Sequence, residues 1–216
     1  SLMAKPDNIS MSVIKRMPRY YRFLGNLKNN GVERISSKEL SEKMGFTASQ
    51  IRQDLNCFGG FGQQGYGYNV AQLYGEIGRI LGIDNGYKTI IIGMGNLGRA
   101  IAAHMNFSQR GFDLIGMFDS DINLSGELVN GSAIRPMATL KDFCERYSPK
   151  VAVLCVPEEA AETVVSMLVD YGITGFWNFS HYDIASHFPG TVCENVHLND
   201  SLMTLNYQIM HELNKE

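Results

Sequence analysis

The 216-residue sequence predicts an α/β chain in two parts, a small helical unit followed by a doubly wound parallel sheet. Three observations carry this. Two helix-start signatures, Ser36-Ser37-Lys38-Glu39 and Thr47-Ala48-Ser49-Gln50, lie so close that two short helices must follow one another through a tight turn. A β-branched run, Lys88-Thr89-Ile90-Ile91-Ile92, leads directly into Gly93-Met94-Gly95-Asn96-Leu97-Gly98. Charge is unevenly divided: residues 1–86 carry 11 Lys/Arg against 7 Asp/Glu, residues 87–216 carry 8 against 15, and the formal net charge is -3. A basic half joined to an acidic half suits a phosphate-binding module attached to something else, although a few charges can also fall unevenly by chance.

In the first part, Ile14, Met17, Tyr21 and Leu24 recur at helical spacing, and Pro18 fits only near the start of their helix, where no amide bond is lost. The next helix takes Ser36 as N-cap with Glu39 reaching back, runs through Leu40 and Met44, and stops at Gly45. Thr47 then opens a helix with Ile51, Leu55 and Phe58 on its buried face. With only Gly45-Phe46-Thr47 between them the two helices must cross steeply, which is helix-turn-helix geometry. The second helix exposes Ser49, Gln50, Arg52, Gln53 and Asn56; Gln and Asn can pair with adenine edges and Arg with guanine. Ser37, Lys38 and Thr47 join them as candidate DNA contacts. The alternative is the solvated face of a small interaction domain. Gly59 to Tyr68 holds five glycines and three aromatics, which suits a hairpin wing presenting Gln63, Gln64 and Tyr66, or else a purely structural loop. A helix with Val70, Leu73, Tyr74, Ile77 and Leu81 inward closes a winged helix-turn-helix domain over 1–82, and 83–87 forms the linker.

In the second part, a glycine motif at a strand-to-helix turn has a mechanism. Gly93 permits the turn, Gly95 lets backbone approach a pyrophosphate, and Gly98 lets helix and strand pack closely. Met94, Asn96 and Leu97 complete the loop, and the helix start attracts negative charge. The next strand, 112–118, ends at Asp119, 21 residues after Gly98. A carboxylate there can bond both ribose hydroxyls and repel a 2'-phosphate, favouring NAD(H); Asp121 competes for the role, and Asp119 could instead cap the following turn. Strands at 151–156 and 174–179, with an apolar helix through Ala160, Val164, Val165, Leu168 and Val169 between them, extend a Rossmann-like sheet over 88–198. Val156-Pro157 and Asn178-Phe179-Ser180-His181 fall at strand ends that face the ligand crevice in this architecture. Residues 199–216 follow as a last helix whose Leu202, Leu205, Ile209 and Leu213 continue an apolar stripe from Leu198 that no later element covers, which points to a dimer or to packing on its own sheet.

Composition narrows the function classes. No apolar run approaches the roughly 20 residues needed to span a bilayer. Ser1-Leu2 ahead of Met3 reads as a cloning remnant, and the absence of a basic-then-apolar leader predicts a cytoplasmic protein. Cys57, Cys144, Cys155 and Cys193 are scattered, so neither a metal site nor a disulfide framework is expected.

Taken in order, Arg16-Met17-Pro18, Tyr20-Tyr21-Arg22, Ile35-Ser36-Ser37, Gln50 to Leu55, Phe58 to Gly62, Gly65 to Tyr68, Gly93 to Ala100, Phe118-Asp119, Val156-Pro157 and Asn178-Phe179 resemble Rex-type redox-sensing repressors along nearly the whole chain. The resemblance implies a homodimer on palindromic operators of fermentation and respiration genes, displaced by NADH, with NAD+ competing less effectively. It also implies that the last helix crosses to the partner subunit. Four places depart from the family: Gln53 stands where a basic residue is usual, Gln63-Gln64 replace basic wing residues, Ser180-His181 replaces Ala-Pro, and His197 replaces an Asp. In the family that Asp can pair with an arginine matching Arg22 and link sensor to DNA-binding domain. His197 cannot form the same ion pair and is either a plain surface histidine or a pH-sensitive switch.

Two rivals stand beside a repressor. A small NAD-dependent dehydrogenase or CoA-binding ligase subunit would need acid/base or nucleophilic chemistry, but only His181 lies in a crevice loop and no separate substrate domain remains. A dinucleotide sensor working through protein contacts would suit Gln53, Gln63 and Gln64. The expectation is a non-enzymatic regulator.

Overall fold

The computed structural model describes residues 9–59, 62–63, 67–213 and 215, with backbone alone at Gly62 and Gln63. The chain divides into two compact units, Ser1–Asp84 and Asn85–Glu216.

The first unit opens with α1 (Met11–Asn29), whose first turn is capped by Ser10. Its buried face is Met17, Tyr20, Leu24 and Leu27; Tyr21 lies half-buried beside that stripe, its ring stacked on Tyr74 at 4.4 Å. The helix begins a full seven residues before Pro18, so the proline sits inside it rather than at its start. Pro18 is on the exposed side, where the missing N–H and any local bend meet water rather than core. There follow β1 (Arg34–Ile35), α2 (Ser37–Met44), α3 (Ala48–Asn56), β2 (Gly62–Gln63), β3 (Gly67–Asn69) and α4 (Val70–Leu81). Both capping hydroxyls work as expected: Ser36 Oγ accepts from the Glu39 amide and Thr47 Oγ1 from the Gln50 amide, each at 3.1 Å. Gly45 ends α2 at φ 75°, a conformation few other residues adopt. Arg19 on α1 donates to the carbonyl of Met44 and lies over the Phe46 ring, which pins the turn between α2 and α3. The wing is an antiparallel sheet of order β1-β3-β2, anchored by β1, a two-residue strand too short for sequence periodicity to reveal.

The second unit contains β4 (Tyr87–Ile92), α5 (Asn96–His104), β5 (Phe112–Asp119), β6 (Leu128–Val129), β7 (Ser132–Ala133), β8 (Arg135–Pro136), α6 (Leu140–Tyr147), β9 (Val151–Leu154), α7 (Glu158–Asp170), β10 (Gly175–Asn178), α8 (Ile184–His187), β11 (Val192–Asn195) and α9 (Leu198–Gln208), which continues as a π-helical turn over Ile209–Leu213. Six strands form one parallel sheet of order β11-β10-β9-β4-β5-β8. Side chains alternate across it. Ile90, Ile92, Phe118 and Leu154 enter the core on one face, Ile91, Met117 and Val153 the core on the other. Strand order reverses between β4 and β9, which places a crevice at their C-terminal ends. The strands expected at 151–156 and 174–179 are shorter than their apolar runs: Cys155-Val156 and Phe179 have already turned toward that crevice. The apolar stripe of α9 does not pack on its own sheet: Leu198 is 62% exposed, Leu202 63% and Leu213 73%.

Candidate functional site

The outer face of α3 carries Ser49, Arg52, Gln53 and Asn56, all exposed, while Ile51, Asp54 and Leu55 are buried. Arg52 donates to Ser37 Oγ at 3.2 Å, so the first residue of α2 steadies the guanidinium beside its neighbour helix. Lys38 is exposed next to it, and Thr47, also exposed, uses its hydroxyl oxygen on the cap. Gln50 departs from the expected capping box. Its side chain runs forward to Asp54 Oδ1 at 2.8 Å instead of back to Thr47. Of the wing residues singled out from sequence, Gln64 and Tyr66 and the Gln63 side chain lie outside the described residues.

Asp54 is the one buried carboxylate of this unit's described residues, and sequence reading passed over it. Arg16 grips it with two parallel bonds, Nε to Oδ2 and Nη2 to Oδ1, both 2.8 Å, and Tyr20 donates to Oδ2 at 2.7 Å. Burial pushes the Asp54 carboxyl up, but the bonds from Arg16, Tyr20 and Gln50 outweigh it and hold the group below the usual carboxylate range. The same burial and the neighbouring carboxylate raise the Tyr20 phenol, which stays protonated. Helices α3 and α1 are thus tied through one charge. Arg16 and Asp54 were visible in the sequence, but their separation of 38 residues left no local signal.

In the second unit the glycine loop sits between β4 and α5. Gly93 has φ 96°, and a Cβ there would stand 2.6 Å from the Cys155 carbonyl oxygen. A Cβ on Gly98 would overlap the Gly93 carbonyl oxygen outright. Around Gly95 nothing lies within 4 Å, so the loop is tight behind and open in front. No side chain caps α5, leaving its first amides available to an anion. Asn96 and Leu97 are exposed there and Met94 is buried beneath. Asp119, at the end of β5, accepts from the Met94 amide at 2.6 Å through Oδ2 and from the Asp121 amide at 2.7 Å through Oδ1. Each oxygen keeps a second lone pair, and the carboxylate is fixed against the glycine loop. Asp121 is turned to its own task, capping the turn at Asn123. The residues present fit a dinucleotide: an open backbone cradle, a free helix N-terminus and one oriented carboxylate.

Beyond the switch point, half-buried Val156 and exposed Pro157 follow β9, and Phe179 follows β10 with its ring edge-on to Trp177 at 4.8 Å. Asn178 is buried and satisfied. Its Nδ2 donates to the Tyr182 carbonyl and Asn195 Oδ1, and its Oδ1 accepts from the Ser180 amide and hydroxyl. That network shapes the loop in which His181 stands at φ 65°, facing His197 with Nδ1 to Nδ1 2.8 Å and rings stacked. One imidazole donates and the other accepts, a pairing the sequence did not announce because the two residues are 16 apart. Arg22, on α1, is exposed. Cys155, behind Gly93, has a thiol that burial pushes up to about 12, so no thiolate nucleophile is poised at the loop. Among the described residues no group of three or more His, Cys, Asp or Glu could hold a metal ion. Among the described residues no helix is long and apolar enough to cross a membrane.

Comparison with known proteins agrees with both halves. Residues 8–56 match the family model described as "Putative DNA-binding protein N-terminus", and residues 84–182 match the one described as "CoA binding domain". A protein of Clostridium perfringens named redox-sensing transcriptional repressor Rex is 51% identical over 97% of this chain and 98% of its own. The chain belongs to the Rex family of redox-sensing transcriptional repressors. A second Rex protein, from Thermoanaerobacter pseudethanolicus, is 50% identical over 97% of this chain and 93% of its own. The Rex-family repressor RSP, solved with β-NAD+ and operator DNA, superposes with a TM-score of 0.84 at 49% identity, covering 96% of this chain and 95% of its own. The same repressor with β-NADH gives 0.86 at 47% identity, covering 96% and 98%. Rex proteins are regulators, which sets the dehydrogenase and ligase alternatives aside; the match to a CoA-binding domain reflects the nucleotide-binding sheet they share.

Proposed function

We propose that this chain acts in the cytoplasm as a homodimer that holds palindromic operator DNA and leaves it when NADH fills the glycine-lined crevice, so that the NADH/NAD+ ratio controls genes of fermentation and respiration. The observation that carries the proposal is the presence in one chain of a polar-faced helix braced by its neighbours and a glycine cradle open toward a free helix N-terminus. In this proposal Ser37, Lys38, Thr47, Ser49, Gln50, Arg52, Gln53 and Asn56 meet the duplex, with the wing residues Gln63, Gln64 and Tyr66 beside them. Gly93 to Gly98 receive the pyrophosphate and Asp119 the adenosine ribose. Val156, Pro157, Asn178 and Phe179 wall the nicotinamide end.

A bound dinucleotide supplies a ring that is positively charged when oxidised and neutral when reduced. The four residues assigned to its wall carry no carboxylate: Val156, Pro157 and Phe179 are apolar, and both amide ends of Asn178 are taken. Such a surface desolvates a neutral ring at lower cost than a cation, which favours the reduced form.

Dimerisation has two supports within the second unit. The stripe on α9 is exposed from Leu198 to Leu213. A largely apolar groove of about 690 Å³, lined by Tyr87, Met105, Phe107, Val153, Trp177 and Val192, opens on the sheet. A helix whose apolar stripe stays exposed and an open apolar groove, both among the described residues, suit reciprocal exchange between two copies. The test is a mobility shift with a palindromic operator, using the wild type and Arg52→Ala, with and without NADH. Wild type shifts the DNA and NADH abolishes the shift. Retention by Arg52→Ala with wild-type affinity would refute the placement of α3.

A further inference from the structure

We infer that His181 and His197 form a proton-operated latch, which holds the loop after β10 to the root of α9 and, on taking up a second proton, opens and lowers the affinity for NADH. This rests on Asn178 and Phe179 walling the nicotinamide end of the bound dinucleotide. The two Nδ1 atoms stand 2.8 Å apart, and the rings stack with centroids 5.0 Å apart. A hydrogen bond of that length holds one proton between its nitrogens. Both rings are exposed, so protons reach them from solvent. His181 sits at φ 65°, a conformation that a residue with a side chain keeps only where its surroundings hold it. His197 is the residue before α9; its side chain gives that helix no cap, and its Nδ1 is turned to His181 instead.

Proton count sets the behaviour. With both rings neutral, the Nδ1–H of one donates to the bare Nδ1 of the other. A first added proton still leaves a donor facing an acceptor and makes the bond charge-assisted. A second turns both Nδ1 atoms into donors, and the contact must break. It also sets like charges on two stacked rings, one of them at the N-terminus of α9, where the helix dipole disfavours a cation. The other titratable groups on these elements do not offset this. Asp183 accepts from the Ser186 amide and hydroxyl, and His187 Nδ1 meets the Asp183 carbonyl. Glu194 on β11 and Asp200 on α9 complete the set, and among the described residues no carboxylate forms an ion pair with either ring. The bond between Asn178 and Asn195 does not titrate and keeps the ends of β10 and β11 together, so opening is confined to the loop tip and the start of α9. NADH must then order the loop beside Phe179 as it binds, at a cost in affinity. In acid the repressor would need more NADH to leave its operator.

The experiment compares the full chain, carrying isotope-labelled histidine, with His181→Asn and His197→Asn. Asparagine tolerates positive φ and caps helices, so both variants keep the backbone, and every other titration is common to the three proteins. Ring-nitrogen NMR is followed from about pH 8 to about pH 5, the range in which histidine changes charge. In the wild type both rings respond to two successive steps, whereas the remaining ring of either variant responds to one. Calorimetry over the same range shows wild-type NADH affinity falling roughly two- to tenfold further than that of either variant, the range of one hydrogen bond. Rings that titrate independently, each in one step as in the variants, overturn the inference. So does an NADH affinity with the same pH dependence in all three proteins. If none of the three binds NADH even at the highest pH, the proposed function fails and the inference falls with it.

Discussion

Replacing Asp54 by alanine tests whether one buried charge braces the DNA-binding unit. The substitution leaves the fully buried Tyr20 hydroxyl without an acceptor and frees the Arg16 fork and the Gln50 amide. An orphaned buried hydroxyl costs about 1–3 kcal/mol. Breaking a fully buried ion pair costs about 3–5 kcal/mol, but the Arg16 side chain is 28% exposed and water recovers part of its loss. The sum we expect is about 3 kcal/mol. Amide hydrogen exchange on the full chain reads it locally: amides of α1 and α3 exchange on the order of 100-fold faster, whereas those of β4 and β9 are unchanged and serve as control. The pH dependence has a fixed sign. The folded-state pKa of Asp54 is lowered, so its contribution is complete above the ordinary carboxylate range and is lost as pH falls through the folded value. Asp54→Asn flattens that slope. A change below about 1 kcal/mol in α1 and α3, or an equal loss in β4 and β9, would refute the bracing role.

Four further outcomes follow from the same structure. Gly98→Ala forces a methyl into the Gly93 carbonyl and abolishes NADH binding by calorimetry; binding within about tenfold of wild type contradicts the cradle. Asp119→Ala weakens NADH binding by roughly tenfold or more, one charged hydrogen bond or two, and narrows the preference over NADPH; an unchanged preference redirects the role to another group. Leu205→Glu places a charge in the α9 stripe and yields monomers by light scattering that still bind NADH; persistent dimers refute the exchange of helices. Arg52→Ala eliminates operator binding but not NADH binding in paired titrations, and loss of both would mean a folding defect rather than a lost contact.

How much was legible beforehand depended on range. Signals within one helical turn or one strand read correctly: the Ser36 and Thr47 caps, the αL stop at Gly45, and the positive φ of Gly93 are each set by a few neighbouring atoms. Pro18 misled because helix interiors exclude proline only as a tendency, and a 19-residue amphipathic helix tolerates one missing bond on its wet side. The strands β1, β6, β7 and β8 hold two residues each, below the length at which alternation can be recognised. At the sites, residue types marked the outer face of α3 and the glycine loop, yet the partners that orient them were invisible. Gln50 looked like half of a capping box because its spacing from Thr47 permits one; a carboxylate one turn ahead, ionised by an arginine on another helix, offers a stronger acceptor. His181 and His197 meet only because β10 and β11 are adjacent in the sheet, a fact of topology rather than of spacing.

The most direct test holds total dinucleotide constant at saturation and varies its reduced fraction while operator occupancy is followed by anisotropy. Occupancy should fall steeply as NADH replaces NAD+, recover when the ratio is reversed, and ignore the ratio altogether in Gly98→Ala. Occupancy that stays level from fully oxidised to fully reduced cofactor would contradict a repressor governed by nicotinamide redox state.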